Sequence, residues 1–96
     1  MKQYVVIGRD GTDNDAPERR MNVRPTHLAG ASALKENGNY VVGGAILDDA
    51  GNMRGSVMIV QFESEEEFKK WYDQEPYLKD KVWETIEVKP FRVAQV

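Results

Sequence analysis

The sequence has no cysteine and a single histidine, His27. Without cysteine there can be no disulfide, thiolate nucleophile or zinc–thiolate site. One imidazole and dispersed carboxylates likewise predict no bound metal and no cofactor. The formal net charge is −3 and no long basic run is present, which argues against nucleic acid as a partner. No apolar stretch approaches the roughly 20 residues that span a bilayer, so we expect no membrane association.

The 96 residues suffice for one domain, and 41% hydrophobic with 30% charged residues is typical of a globular chain. The first eight residues have the pattern of a strand and lack the features of a signal peptide, so we expect a cytoplasmic protein. A chain of this length buries only about 60% of its unfolded surface. Association with another chain would therefore help to stabilise it.

Hydrophobic periodicity and turn residues predict the order β-α-β-β-α-β. Asp15 is the predicted N-cap of the first helix, and Ser64 and Glu67 form a capping box before the second. We expect Pro25 to kink or break the first helix. Pro90 predicts that the last strand lies at an edge. The predicted strands are 3–8, 40–47, 56–62 and 82–96, and the helices are 17–37 and 65–73, with a short helical turn at 77–81.

This order predicts a ferredoxin-like α+β fold, with a four-stranded antiparallel sheet and both helices on one face. The predicted strands carry apolar residues on both sides, so something must also cover the second face. A second copy of the chain is the expected cover, which predicts a homodimer.

The region around His27 has the clearest pattern for chemistry. Arg20, Arg24 and His27 have the i, i+4, i+7 spacing that places them on one helix face, and the apolar stripe of the helix continues from there toward the sheet. His27 should therefore point inward. A lone histidine on such a face is also commonly a hydrogen-bonded core residue, and spacing alone favours that reading. Gly43-Gly44, inside the second strand, indicates either a β-bulge or the close approach of a ligand or helix.

Taken together, these residues resemble the YciI-like (YCII-related) family, over nearly the whole chain as a single domain, 1–96. The motifs that carry the resemblance are Arg20-Met21, Arg24-Pro25, His27-Leu28, Gly43-Gly44, Phe62-Glu63-Ser64, Glu75-Pro76-Tyr77 and Val88-Lys89-Pro90-Phe91. The resemblance implies a dimeric α/β barrel with a histidine–aspartate pair as its active site. Most members have no assigned substrate, and one type is a dehydrochlorinase.

Transferred to this chain, the resemblance implies His27 and Glu75 as catalytic residues. Glu75 stands where the family has aspartate, and its side chain is one methylene longer. Ala45 replaces the proline that usually follows the glycines. The implied substrate-binding residues are Arg24, Arg20, Gly43, Gly44 and Tyr77.

The chemistry that fits is proton transfer by an imidazole oriented by a carboxylate, with Arg24, in preference to Arg20, holding an anionic group or an enolate oxygen. From the position of Glu75 after the second helix we expect it to contact His27, with Asp73 as the less favoured partner. The main hypothesis is a lyase, isomerase or dehydrochlorinase acting on a small cyclic or anionic molecule.

Two other functions stay open. The alternative is a non-catalytic dimer that binds a small ligand, in which His27 and Glu75 only tie a helix to a loop. A haem-binding role for the lone histidine is a third and weaker hypothesis. Ser32 and Ser56 lack the sequence context of a nucleophile.

Overall fold

The computed structural model describes residues 1–96 as a four-stranded antiparallel sheet with the helices on one face. Along the sheet the strand order is β2-β3-β1-β4. This is the predicted ferredoxin-like α+β fold, and the prediction is confirmed. The elements are β1 Lys2–Asp10, α1 Ala16–Glu36, β2 Tyr40–Leu47, β3 Met53–Phe62, α2 Glu65–Gln74, α3 Pro76–Lys79 and β4 Trp83–Phe91.

Helix α1 runs without interruption through Pro25, so the break is wrong, whereas the alternative of a kink stays a prediction. A proline removes one donor and leaves the carbonyl four residues earlier, here that of Met21, without its helical partner. Met21 and Pro25 both lie on the exposed side of α1, where water can take the place of that donor. Asp15 does occupy the N-cap, but its side chain makes no capping hydrogen bond.

The other boundaries differ by a few residues from those predicted. Strand β3 begins at Met53 because Gly55 already pairs with Arg9 of β1 and Ile46 of β2, which shortens the hairpin loop. Strand β4 ends at Phe91. Pro90 lies in this edge strand opposite Tyr4, as predicted.

Helix α2 begins with the predicted cap. The Ser64 side chain accepts a hydrogen bond from the backbone N–H of Glu67, at 3.2 Å. The helix ends before Glu75, whose extended backbone follows from the proline after it. That change of direction starts α3 and turns the Glu75 side chain into the interior, where only 2% of the residue is exposed.

The core lies between the sheet and the helices. Alternate residues of the two central strands face it, and the aromatic side chains of α2 and α3 cover them. Its buried members are Tyr4, Val6, Leu34, Met58, Val60, Phe62, Phe68, Tyr77, Val82 and Trp83.

The opposite face of the sheet carries the other alternate residues. The registers of β1, β2 and β3 bring a continuous apolar band together there, while Thr85, Glu87 and Lys89 of β4 border it. No helix packs on this face. The band consists of Val5, Ile7, Val42, Ile46, Val57 and Ile59. None of the helices combines the length and apolar content needed to cross a bilayer.

Candidate functional site

A cavity of about 100 Å³ lies between α1 and the inner face of β2 and β3. Helix α1 contributes Arg20, Arg24 and His27 to its wall, as their spacing predicts. Strand β2 contributes Gly43 and Gly44. Further wall residues come from β2, β3 and α3, among them Tyr40, Ser56 and Tyr77. The cavity therefore brings together every predicted site residue except Glu75.

Glu75 lies directly behind His27. The distance between His27 Nδ1 and Glu75 Oε1 is 2.5 Å, and both residues are buried. The same oxygen accepts a hydrogen bond from the backbone N–H of Tyr77, at 3.2 Å. The longer side chain of glutamate therefore does not prevent contact with the ring. Asp73, the less favoured partner, is exposed and forms no ion pair.

The contact assigns a role to each ring nitrogen when Glu75 is ionised. A carboxylate only accepts hydrogen bonds, so Nδ1 then donates its proton to Glu75. In a neutral ring the free lone pair then lies on Nε2. Since His27 lines the cavity and Glu75 does not, the edge of the ring away from Glu75 is the one available to a ligand.

The Tyr77 ring is held between His27 and Arg20. It stacks on the imidazole with a centroid separation of 4.0 Å and an interplanar angle of 12°. The guanidinium carbon of Arg20 lies 4.7 Å from the centroid of the Tyr77 ring. Burial raises the pKa of the Tyr77 phenol, which keeps it a neutral donor near pH 7. Its hydroxyl is buried without a hydrogen-bond partner.

Arg20 is already paired within the protein. Its Nη1 donates to both oxygens of Asp10, at 3.0 and 3.1 Å, and its Nη2 donates to Ser56 Oγ at 2.8 Å. Burial raises the pKa of Asp10, and the neighbouring guanidinium opposes that rise. Arg20 Nε is buried without a partner. By contrast, half-buried Arg24 forms no ion pair and is the cavity's unneutralised cation.

The two glycines are not at a bulge, so that alternative for them is wrong. Gly43 pairs regularly with Met58 and Gly44 with Val57, while the irregularities of β2 lie on either side of this pair. A Cβ on Gly43 would lie 2.7 Å from the hydroxyl of Tyr40. Close approach of neighbouring atoms therefore requires glycine at position 43. A Cβ on Gly44 would meet nothing within 4 Å.

Sequence reasoning missed Asp10, Ser56 and Tyr40. The sequence predicts that Ser56 is not a nucleophile. In the structure its sole side-chain partner is Arg20, so no base contacts it. One signal could have identified it. Ser56 precedes Met58 and Val60 at the alternate, inward-facing positions of β3, and an inward hydroxyl in a strand needs a polar partner.

A larger open depression, of about 510 Å³, lies at the start of β1 and the end of β4. Lys2, Glu65 and Arg92 are its charged residues, and it contains no histidine. The smaller cavity is the better candidate because it alone combines an imidazole with buried polar groups. No group of three or more histidine, aspartate and glutamate side chains is close enough to share a metal ion.

Comparison with known sequences gives a consistent result. Residues 2–92 match the family model of the YCII-related domain. The chain is 36% identical over 95 residues to protein YciI of Escherichia coli, an alignment that covers 93% of this chain and 95% of that protein.

Among solved structures, one similar fold is the 5-chloro-2-hydroxyhydroquinone dehydrochlorinase of Burkholderia phenoliruptrix, in complex with 2,5-dihydroxybenzoquinone. It superimposes with a TM-score of 0.80 at 23% identity, covering 96% of this chain and 95% of that one. The cofactor-independent oxygenase SnoaB of Streptomyces nogalater gives a TM-score of 0.59 at 16% identity, covering 100% and 97%. At these identities the likeness concerns the fold alone.

Proposed function

Since the chain belongs to the YCII-related family, we propose that its cavity is the active site of an enzyme that moves protons on a small anionic or cyclic molecule. His27 is the general base and acid, and Glu75 orients its ring. The observation that carries this proposal is the buried His27–Glu75 contact of 2.5 Å at the wall of a cavity that also holds Arg24.

The proposed reaction starts with removal of a proton from substrate carbon by His27 Nε2. Glu75 stabilises the imidazolium that forms, and Arg24 stabilises the negative charge left on a substrate oxygen. If the carbanion or enolate then expels a leaving group such as chloride, the reaction is an elimination. If the proton returns to a different carbon, the reaction is an isomerisation.

The structural neighbours support small-molecule chemistry in this fold without fixing the substrate. One of them is a dehydrochlorinase bound to a dihydroxybenzoquinone, and another is an oxygenase that needs no cofactor. An acid–base site made only of side chains is in keeping with both.

The test is turnover of a panel of hydroxylated aromatics, quinones and lactones that includes 2,5-dihydroxybenzoquinone. His27→Ala should reduce turnover of any active compound by about 100- to 10,000-fold, the usual contribution of a general base. Thr26→Ala, at the exposed neighbouring position, is the matched control and should keep full activity. Equal turnover by the His27 variant would rule out the proposed role.

A non-catalytic ligand-binding protein is the second candidate, and one observation favours it. Glu75 Oε1 also accepts the Tyr77 N–H, so the pair ties α1 to the start of α3. Under this function Glu75→Gln would lower stability and His27→Ala would alter ligand affinity. No compound of the panel would be converted by the unmodified protein.

We also propose that the apolar band of the open sheet face packs against a second copy of the chain. Monomeric proteins seldom expose contiguous apolar patches beyond a few hundred Å². Light scattering should give twice the chain mass at micromolar concentration. Ile7→Lys, in the β1 part of the band beside Val57, should give the single-chain mass, whereas Ala33→Lys on the exposed side of α1 should not. A single-chain mass for the unmodified protein would contradict the proposal.

A further inference from the structure

The cavity presents hydrogen-bond donors and no carboxylate. Its charged and titratable wall residues are Arg20, Arg24, His27 and two tyrosines, while Asp10 and Glu75 stand behind the first layer. A ligand that offers acceptors therefore fits best, and a ligand with an ammonium group would find no counter-charge in the cavity wall.

The two arginines differ in their net charge environment. Arg24 forms no ion pair, so it can neutralise a ligand anion. Arg20 is compensated by Asp10 at 3.0 Å, and this pair adds no net charge to the cavity. A second anion placed at Arg20 would lose its hydration without gaining a free counter-charge.

The side of the cavity near Arg20 nevertheless has unused donors. Arg20 Nε and the Tyr77 hydroxyl are both buried and lack an acceptor in the protein. Ser56 Oγ accepts from Arg20 Nη2, and its own hydroxyl hydrogen has no acceptor. All three residues are at least 97% buried. Buried donors are rarely left unpaired. Because Arg20 Nε and the Tyr77 hydroxyl are not accessible from the cavity, a ligand oxygen would reach them with a small shift of the wall side chains.

We propose that Ser56, Arg20 and Tyr77 form a second subsite that binds an uncharged oxygen of the ligand, while Arg24 binds its anionic end. The ligand class is a monoanion with a second, neutral oxygen acceptor, such as a hydroxy acid, a keto acid or a phenolic acid. This inference rests on the proposed function in taking the same cavity as the ligand site.

The size of the cavity agrees with such a molecule. A cavity of about 150 Å³ accommodates benzene, so about 100 Å³ takes a small acid or only the oxygen-bearing edge of a ring. The remainder of a larger ligand would lie at the mouth, against half-exposed Leu28 and the side chain of Met53.

The experiment is calorimetric binding of benzoate, its three monohydroxy isomers, the corresponding methylbenzoates and the three benzenedicarboxylates. At least one hydroxybenzoate should bind about ten-fold more tightly than benzoate, the effect of one hydrogen bond. The methylbenzoates and the benzenedicarboxylates should show no such gain in affinity over benzoate. A preference for a dicarboxylate, or no gain for any hydroxybenzoate, would overturn the proposal.

Two variants assign the gain to the subsite. Ser56→Ala and Tyr77→Phe each remove one hydroxyl and keep the shape of the side chain. Each should reduce the gain in affinity of the hydroxybenzoate over benzoate to less than about three-fold. His27→Gln separates this inference from the proposed catalysis, because it should abolish turnover but leave the gain from the hydroxyl unchanged. A full gain in both hydroxyl-deleted variants would contradict the subsite even if the enzyme proved active.

Discussion

The adjacent glycines of β2 allow a matched test of packing beside the cavity. In Gly43→Ala the new methyl carbon would lie 2.7 Å from the Tyr40 hydroxyl and 2.9 Å from the backbone oxygen of Val57. The tyrosine could shift, but the Val57 oxygen belongs to the paired strand β3 and cannot move without disturbing the sheet. Overpacking of this kind costs about 1–3 kcal/mol.

Gly44→Ala is the control because within one chain the same change meets no atom within 4 Å. Its methyl would lie on the opposite face of the sheet, in the apolar band. The backbone of Gly44 is not in the left-handed region, so alanine fits without strain. Loss of freedom in the unfolded chain should then stabilise the protein by about 0.4–1 kcal/mol.

The assay is unfolding by urea and by heat for both variants. For a domain of this length each kcal/mol corresponds to about 4–8 °C in Tm. Gly43→Ala should therefore melt below the unmodified protein and Gly44→Ala at or above it. A Gly43→Ala protein as stable as Gly44→Ala would show that this account of the packing between β2 and β3 is wrong.

Two further predictions concern stability away from the cavity. Asp48 accepts the backbone N–H of Asn52, and this bond, with the contact from Arg54, lowers the pKa of the Asp48 carboxyl below its ordinary value. Its stabilising contribution is therefore present above about pH 4 and is lost as the pH falls through the folded pKa. Urea unfolding between pH 6 and 2 should show that the free energy of unfolding falls less steeply with acid in Asp48→Asn than in the unmodified protein. The same acid dependence in both proteins would contradict the assignment. Ser64→Ala removes the cap of α2 and should cost about 1 kcal/mol, measured by urea unfolding, whereas the neighbouring Glu63→Ala should cost little.

Much of the fold could be predicted because local signals agreed with one another. The Ser64 cap, the prolines and the alternation of β1 and β3 all fit one element order. The break at Pro25 was wrongly predicted because the low helix propensity of proline does not show whether water can bond to the carbonyl that a proline leaves free. The true start of β3 depends on pairing between distant strands, which a hairpin-loop composition does not reveal.

The candidate site was predictable along one helix and not across the sheet. The spacing of Arg20, Arg24 and His27 is local, so their shared face followed from helix geometry. The pairing of Arg20 with Asp10 and Ser56 joins α1 to the end of β1 and to the interior of β3, and no sequence period encodes that contact. The sequence favours Arg24 over Arg20 as the anion-binding residue, and the structure supplies the reason, because Arg20 is compensated by Asp10 whereas Arg24 forms no ion pair.

Proton transfer by His27 is the central claim, and its most direct measurement is exchange of a substrate carbon-bound hydrogen with deuterium from the solvent. The substrate would be the most active compound of the turnover panel, followed by NMR in D₂O. The unmodified protein should catalyse exchange, His27→Gln should slow it by about 100- to 10,000-fold, and Glu75→Gln should give an intermediate rate. Exchange at the same rate in His27→Gln would contradict the account.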